Sequence, residues 1–258
     1  MERLSVHSDA PSGIGANMLR TWGLIFLAAG LVGRGLIQTH LLGVGTISAQ
    51  DLMAAMNASQ TTMILVTVSL VLQAVETCAA PIFAVLLITG VQKTADLGKY
   101  ILRVTAAALA AELPYSLAVE GSLLAPGLNP MFSLVLGLAL LYFYRRFPGR
   151  GFKMVAIKVL LTLAGVLWGQ MLRIQCGSEM VIILAALWML RDKPLYRNFA
   201  GMAAAVLCTA FTPFFLAAPM GFLAVHFYNG EKSDTSPWLN YLSYPALCVL
   251  TAGVSFLL

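Results

Sequence analysis

Apolar runs, several of them long enough to cross a lipid bilayer, follow one another along almost the whole chain, and little else fits between them. About 20 apolar residues in an α-helix span the hydrocarbon core. Such runs lie at about Thr21–Leu42, Thr61–Val91, Tyr100–Val119, Pro130–Tyr144, Met154–Leu172 and Met180–Leu190, and one ends the chain at about Trp238–Leu258. The stretch Phe199–Tyr228 is too long for one crossing, and Thr212-Pro213 offers a place to divide it. Nine helices of that length use about 180 of the 258 residues, which leaves short loops and no room for a soluble domain. Only 10% of residues are charged and 59% are apolar, against about 25% charged in average soluble proteins. A soluble globular enzyme and a disordered chain are excluded.

The basic residues order these runs. Lys and Arg concentrate in loops on the cytoplasmic side of a membrane. Arg3 and Arg20 precede the first run, Lys93 and Lys99 follow the second, Arg145, Arg146, Arg150 and Lys153 follow the fourth, Arg191, Lys193 and Arg197 follow the sixth, and Lys232 follows the eighth. Residues 43–60 and 118–130 contain neither Lys nor Arg, and the turn after the fifth run has only Arg173 at its edge. The alternation predicts an all-α polytopic bundle of about nine transmembrane helices in the cell membrane, with its N-terminus cytoplasmic and its C-terminus outside. It also requires Thr61–Val91 to cross once, as a long helix kinked near Pro81, since proline removes a backbone hydrogen bond. Residues 1–19 read as a disordered cytoplasmic tail and residues 20–258 as one membrane domain. The net charge of +5 is accounted for by orientation and implies no nucleic-acid partner.

Four cysteines, at 78, 176, 208 and 248, sit in or beside apolar runs without metal-ligand spacing, and read as small buried residues. No metal site is expected. Nor is there any GxSxG, P-loop or HExxH motif. The chemistry therefore has to come from ionisable groups inside the runs, where each charge is expensive and a functional candidate. Arg20, Arg103 and Lys158 lie close enough to the cytoplasmic edge to snorkel. Arg173, with Gln170 one turn back, reads either as an interfacial anchor or as a site residue, whereas His40 and His226 sit at helix ends on opposite faces. Deeper are Arg34, Glu76 and Glu112. An unpaired charge at such depth costs at least about 2.5–3.5 kcal/mol, so Arg34 is expected to pair with one of the two glutamates. That pair reads either as a structural tie or as part of a polar substrate pocket. A carboxylate in such a pocket can serve as a general base.

An ordered series of short motifs adds a resemblance. Pro81-Ile82-Phe83-Ala84 is followed by Lys99-Tyr100-Ile101-Leu102-Arg103 and Ala111-Glu112-Leu113-Pro114-Tyr115. Then come Asn129-Pro130-Met131-Phe132-Ser133-Leu134, Leu136-Gly137-Leu138, Phe227-Tyr228-Asn229-Gly230-Glu231 and Tyr241-Leu242-Ser243-Tyr244-Pro245. Across roughly residues 70–250 this resembles the TraX family of bacterial inner-membrane proteins. The resemblance implies acyl transfer, acetyl foremost, from cytosolic acetyl-CoA as co-substrate to a membrane-associated protein or peptide. No cofactor would be resident. In that frame Glu76 or Glu112 would be the base and Arg34 would pair with it or steady an oxyanion. The phosphates of the donor would meet Arg145, Arg146, Arg150 and Lys153.

The resemblance also implies polar residues that this chain lacks. An Asp-His pair expected in the first run is replaced by Leu31-Val32-Gly33-Arg34, a basic residue by Glu76-Thr77-Cys78, an acidic residue by Thr89 and a late histidine by Leu247. Glu112, Pro114, Asn129, Tyr228, Asn229 and Gly230 remain. Either the site has been rebuilt around Arg34, Glu76 and Glu112, or the chain is a non-catalytic membrane partner of the same fold. A small transporter lined by those three charges is the remaining alternative.

Overall fold

The computed structural model of the chain describes residues 13–44, 48–123, 126–149, 151–230 and 237–257. Among them every regular element is helical, and the sole β-type contacts are single bridges between Ile14 and Tyr228 and between Leu128 and Ile174. Helix α1 (Ala16–Leu31) runs on without a break as a wider π-helical stretch, Val32–Leu41. It begins four residues inside the segment that the sequence assigns to the tail, and Leu19 is fully buried. A short helix α2 (Ala49–Ala58) leads into α3 (Gln60–Glu76) and α4 (Ala79–Lys93). Then come α5 (Leu97–Glu120), α6 (Met131–Arg146), α7 (Phe152–Met171), α8 (Gly177–Met189) and α9 (Pro194–Leu207). Three 3₁₀ turns between Cys208 and Met220 precede the short α10 (Gly221–His226), and α11 is Pro237–Ser255.

Four helical stretches are long and apolar enough to cross a membrane: Ala16–Leu41, Gln60–Lys93, Leu97–Glu120 and Phe152–Met171. Helix α7 shows what its surroundings must be. Val159, Leu160, Leu163, Leu167, Trp168 and Met171 are exposed, while Lys158, Gly165 and Gly169 form its buried stripe. So large an exposed apolar face suits lipid or another apolar surface better than water.

The long second run kinks where expected. Its helix spans 34 residues, about 51 Å at 1.5 Å per residue, well over the ~30 Å hydrocarbon thickness. At the break, Cys78 and Ala80 donate to Val75 and Thr77 at 3.1 Å each, three residues back instead of four, and Pro81 has no N–H to restore the regular ladder. The run after Thr212 differs from the sequence expectation of a regular eighth helix. Pro213 and Pro219 each remove a helix donor, so Pro213–Met220 folds as tight turns and only six residues of α-helix follow.

These two irregular segments lie against each other. Thr77 Oγ1 donates to the Phe214 carbonyl at 3.1 Å and Cys78 Sγ to the Ala217 carbonyl at 3.3 Å. Side-chain donors at one break thus add a second bond to carbonyls at the other, which already accept from the Ala217 and Met220 N–H groups. Gly221 permits the approach: a Cβ there would meet Pro81 Cγ at 2.7 Å.

The apolar core forms two clusters. One gathers α4, α6, α8 and α9 around Ile82, Val85, Leu87, Leu138, Leu141, Ile183, Leu184 and Leu187. The other joins α5 to α11 and the end of α1 through Ala107, Ala108, Ala111, Tyr115, Tyr244, Cys248 and Leu31. Glu76 lies on their seam. It borders a small void of about 30 Å³ together with Ala80 and Met180 of the first cluster and Met131 of the second.

Candidate functional site

Arg34 stands in the π-helical part of α1 and Glu76 at the last residue of α3, and the two form an ion pair inside the bundle. The Glu76 side chain is 6% exposed and that of Arg34 28%. The expectation of an Arg34–glutamate pair is met, and the partner is Glu76. Close helix approach makes room for it: a Cβ on Gly30 would collide with the Glu76 carboxylate, and one on Gly33 would lie 2.9 Å from the Ser69 carbonyl. Ser69 Oγ donates to the Gly33 carbonyl at 2.9 Å, and Gln73 Nε2 donates to Ser69 Oγ at 3.1 Å. This polar seam runs along α1 and α3.

The second oxygen of Glu76 accepts from Gln175 Nε2 at 2.8 Å, and Gln175 Oε1 in turn accepts from the Tyr115 hydroxyl. A chain Arg34–Glu76–Gln175–Tyr115 therefore links α1, α3, the α7–α8 turn and α5. Gln175 was invisible as a site residue in the sequence. Its turn holds Arg173 and Cys176 at φ +48° and +56°, a left-handed conformation that normally announces itself with glycine. Here the turn is pinned to its neighbour instead: Leu128 N–H donates to the Arg173 carbonyl at 3.2 Å and Gln175 N–H to the Leu128 carbonyl at 3.0 Å.

Glu112 has a different place. Its Oε2 accepts from the backbone N–H of Asn129 at 3.1 Å and from Asn129 Nδ2 at 2.6 Å, while Asn129 Nδ2 also donates to the Ala108 carbonyl. Asn129 Oδ1 then accepts the Met131 N–H at 2.9 Å, at the start of α6. No ion pair joins Glu112 to Arg34 among the described residues. Glu112 is a buckle between α5 and α6, and Asn129 adjoins the Leu128 that positions Gln175. It reaches the ion pair only through that turn.

The basic cluster expected to meet a donor lies at the surface where it is described, Arg145 being exposed. Arg146 and Lys153 are exposed. Arg150 lies outside the described residues. Among its described members Arg145 lines a cleft of about 580 Å³ at the basic end, where Lys158, Arg191 and Asp192 join it. The sequence reading of Lys158 as a snorkelling lysine holds only in part. Its side chain does reach the end of the bundle, with Nζ donating to the Gly149 carbonyl at 2.8 Å, but it is buried there, not solvated. Gln170 donates to Ser178 Oγ at 3.0 Å, Arg173 is exposed, and His226 stacks edge-on to Phe227. The late motif ties the chain start to the end of α4: Ile14 N–H donates to the Phe227 carbonyl at 2.7 Å, Asn229 N–H to Ile14 at 3.1 Å, and Lys93 Nζ to the Gly230 carbonyl.

A family profile described as TraX protein matches residues 52–253. The chain belongs to the TraX family. The match covers the span over which the motif series is read and extends it to α2. No curated protein matches the chain, and no solved structure does. Within this TraX-like membrane protein the motif residues Glu112 and Asn129 bond each other, and Tyr228, Asn229 and Gly230 gather at the basic end. Thr89, standing where an acidic residue is expected, donates to the Val85 carbonyl of its own helix at 3.0 Å.

Proposed function

We propose that this TraX-family protein is a multi-pass protein of the bacterial inner membrane that transfers an acyl group, acetyl foremost, from acyl-CoA to a membrane-associated protein or peptide. The observation that carries the reading is the family match over residues 52–253. The nine apolar runs and the alternation of basic loops support nine crossings with the N-terminus cytoplasmic.

The buried pair supplies a place for the chemistry. An acceptor amine or hydroxyl attacks the thioester carbonyl and loses its proton to the Glu76 carboxylate, the developing oxyanion meets the Arg34 guanidinium, and coenzyme A leaves as the thiolate, which recovers the proton. Glu76 is favoured over Glu112 because Glu76 borders an open void and a partly exposed cation, whereas Glu112 is committed to Asn129. Hydrogen-bonded and charge-paired groups of this kind hold geometry for an acyl-transfer transition state.

One observation favours the non-catalytic alternative. Both oxygens of Glu76 are already engaged, by Arg34 and Gln175, as in a purely structural tie. The two readings part on one experiment. Labelled acetyl-CoA is offered to the purified, detergent-solubilised protein with excess unlabelled CoA as competitor, and transfer to membrane acceptors is then compared in the native chain and Glu76→Gln. Saturable, competed binding with transfer abolished in a Glu76→Gln chain that thermal unfolding shows to be folded at the assay temperature supports the enzyme. No binding up to about millimolar donor, an affinity of only about 4 kcal/mol, in a folded protein leaves the membrane-partner reading.

A further inference from the structure

The cleft at the basic end is built differently from the ion-pair site and far from it. Gln92, on its wall, lies sixteen positions beyond Glu76 along α3–α4, about 24 Å at 1.5 Å per residue. Three cations from three elements converge there: Arg145 at the end of α6, Lys158 on α7, and Arg191 just past α8. Among the described residues of its wall one is a carboxylate, Asp192, which stands 3.8 Å from Arg191 Nε. Lys158 is 95% buried, its residue being 5% exposed. Arg191 lies over the Trp188 ring at 4.6 Å, and Trp188 forms part of the same wall. Tyr144 closes the floor, with its hydroxyl 2.5 Å from Thr162 Oγ1 and donating to the Lys158 carbonyl at 3.2 Å.

Helix capping explains part of this. Arg145 donates to the Val91 carbonyl at 3.1 Å and Arg191 to the Trp188 carbonyl at 3.3 Å, near the ends of α4 and α8, where cations are favoured. Each guanidinium has five donors in a fork that matches phosphate, and the carbonyl bonds, together with the Arg191–Asp192 contact, engage only some of them. Capping also does not require that the cations surround a common space. That space, about 580 Å³, falls within the roughly 300–1,000 Å³ of small-molecule pockets.

We propose that this cleft is a binding site for a phosphate-bearing ligand, with Arg145, Lys158 and Arg191 holding the phosphate oxygens and the Trp188–Arg191 stack forming one wall. The shared chemistry, a phosphate ester, has two sources: a soluble nucleotide-type molecule arriving from the aqueous side, or the headgroup of an anionic lipid. The site stands apart from the acyl-transfer reading, since a chain that transfers nothing can still hold a phosphate ester.

The test uses the full chain in neutral detergent and two probes. One arm measures binding of labelled adenosine 3′,5′-bisphosphate by equilibrium dialysis, with adenosine as the phosphate-free control. The other measures retention of phosphatidylglycerol against phosphatidylcholine by native mass spectrometry. Arg145→Gln and Arg191→Gln are expected to weaken the bound probe at least tenfold. Arg146→Gln and Lys153→Gln, exposed cations outside the cleft, and Glu76→Gln are expected to leave it unchanged. Binding of the bisphosphate assigns the soluble source, and selective retention of phosphatidylglycerol assigns the lipid. The proposal is overturned if neither probe binds, if adenosine competes as well as its bisphosphate, or if Arg146→Gln and Lys153→Gln are as damaging as the cleft variants. Because Glu76→Gln is a separate arm, loss of transfer with phosphate binding retained, or the reverse, distinguishes failure of one reading from failure of the other.

Discussion

At the scale of single residues, the pairing of Arg34 with Glu76 dominates. Removing one member of a buried pair leaves the other charged and unpaired, which costs about 3–5 kcal/mol, whereas removing both is often close to neutral. Glu76→Gln is therefore expected to destabilise the protein by about that amount, and Arg34→Met with Glu76→Leu to recover most of it; thermal unfolding in detergent measures both. Glu112 and Asn129 make the matching case among motif residues. Glu112→Ala is expected to cost about 1–3 kcal/mol by leaving the buried Asn129 N–H without its partner, and Asn129→Ala a similar amount by removing its side-chain bonds to Glu112, Ala108 and Met131; the double change is expected to cost less than the sum, because the two share a bond. That Arg34 needs an acidic partner is legible in the sequence, since depth in an apolar run makes the demand. Which glutamate answers it is not, because the choice depends on Gly30 and Gly33 allowing α1 to close on α3.

At the scale of elements, α5 begins with a cap. Asp96 Oδ1 accepts the Lys99 N–H at 3.0 Å, and Lys99 Nζ lies 3.2 Å from Oδ2. The backbone N–H of Lys99 above all, and then its side chain, hold the Asp96 carboxyl below its usual range. A depressed carboxyl contributes stability that is present above its unfolded value and lost as pH falls through its folded one. Protection of the Leu97–Arg103 amides, exchange being taken relative to its intrinsic rate at each pH, is expected to fall on acidification in the native chain, and Asp96→Asn, which keeps a capping oxygen, to remove that fall. Most helices were readable because apolar run length is a strong signal; Pro81 and Thr212-Pro213 also marked their breaks. The π-helical stretch of α1 and the left-handed turn at Arg173–Cys176 carry no such mark. The first has glycines that also suit close packing, and the second has no glycine at all.

For the whole molecule, basic loops and the end at which the cleft opens agree: Arg145, Arg146, Lys153, Lys158, Arg191 and Lys193 cluster where α6 and α8 end and α7 begins. In the proposed nine-span orientation this end faces the cytoplasm. A reporter fused after Pro148 is expected to fluoresce as a cytoplasmic green fluorescent protein, and one fused after Leu257 to be active as an exported alkaline phosphatase. The opposite pattern, or two matching signals, would sink the nine-span orientation. The family was legible from the order of short motifs. The cleft was legible only as a count of charges, because Lys158 and Arg191 reach it from segments that sequence places apart from Arg145.

The meeting of the two broken segments has a consequence in time. The carbonyls of Phe214 and Ala217 and the side chains of Thr77 and Cys78 complete one another across 137 and 139 positions. Synthesis at about 5–20 residues per second separates them by roughly 7–28 s. Throughout that interval the kinked helix exists before its counterpart, with Thr77 Oγ1 bonded meanwhile to the Ala74 carbonyl of its own turn at 2.7 Å. The bend in Gln60–Lys93 thus takes its final partners only after most of the chain has been made.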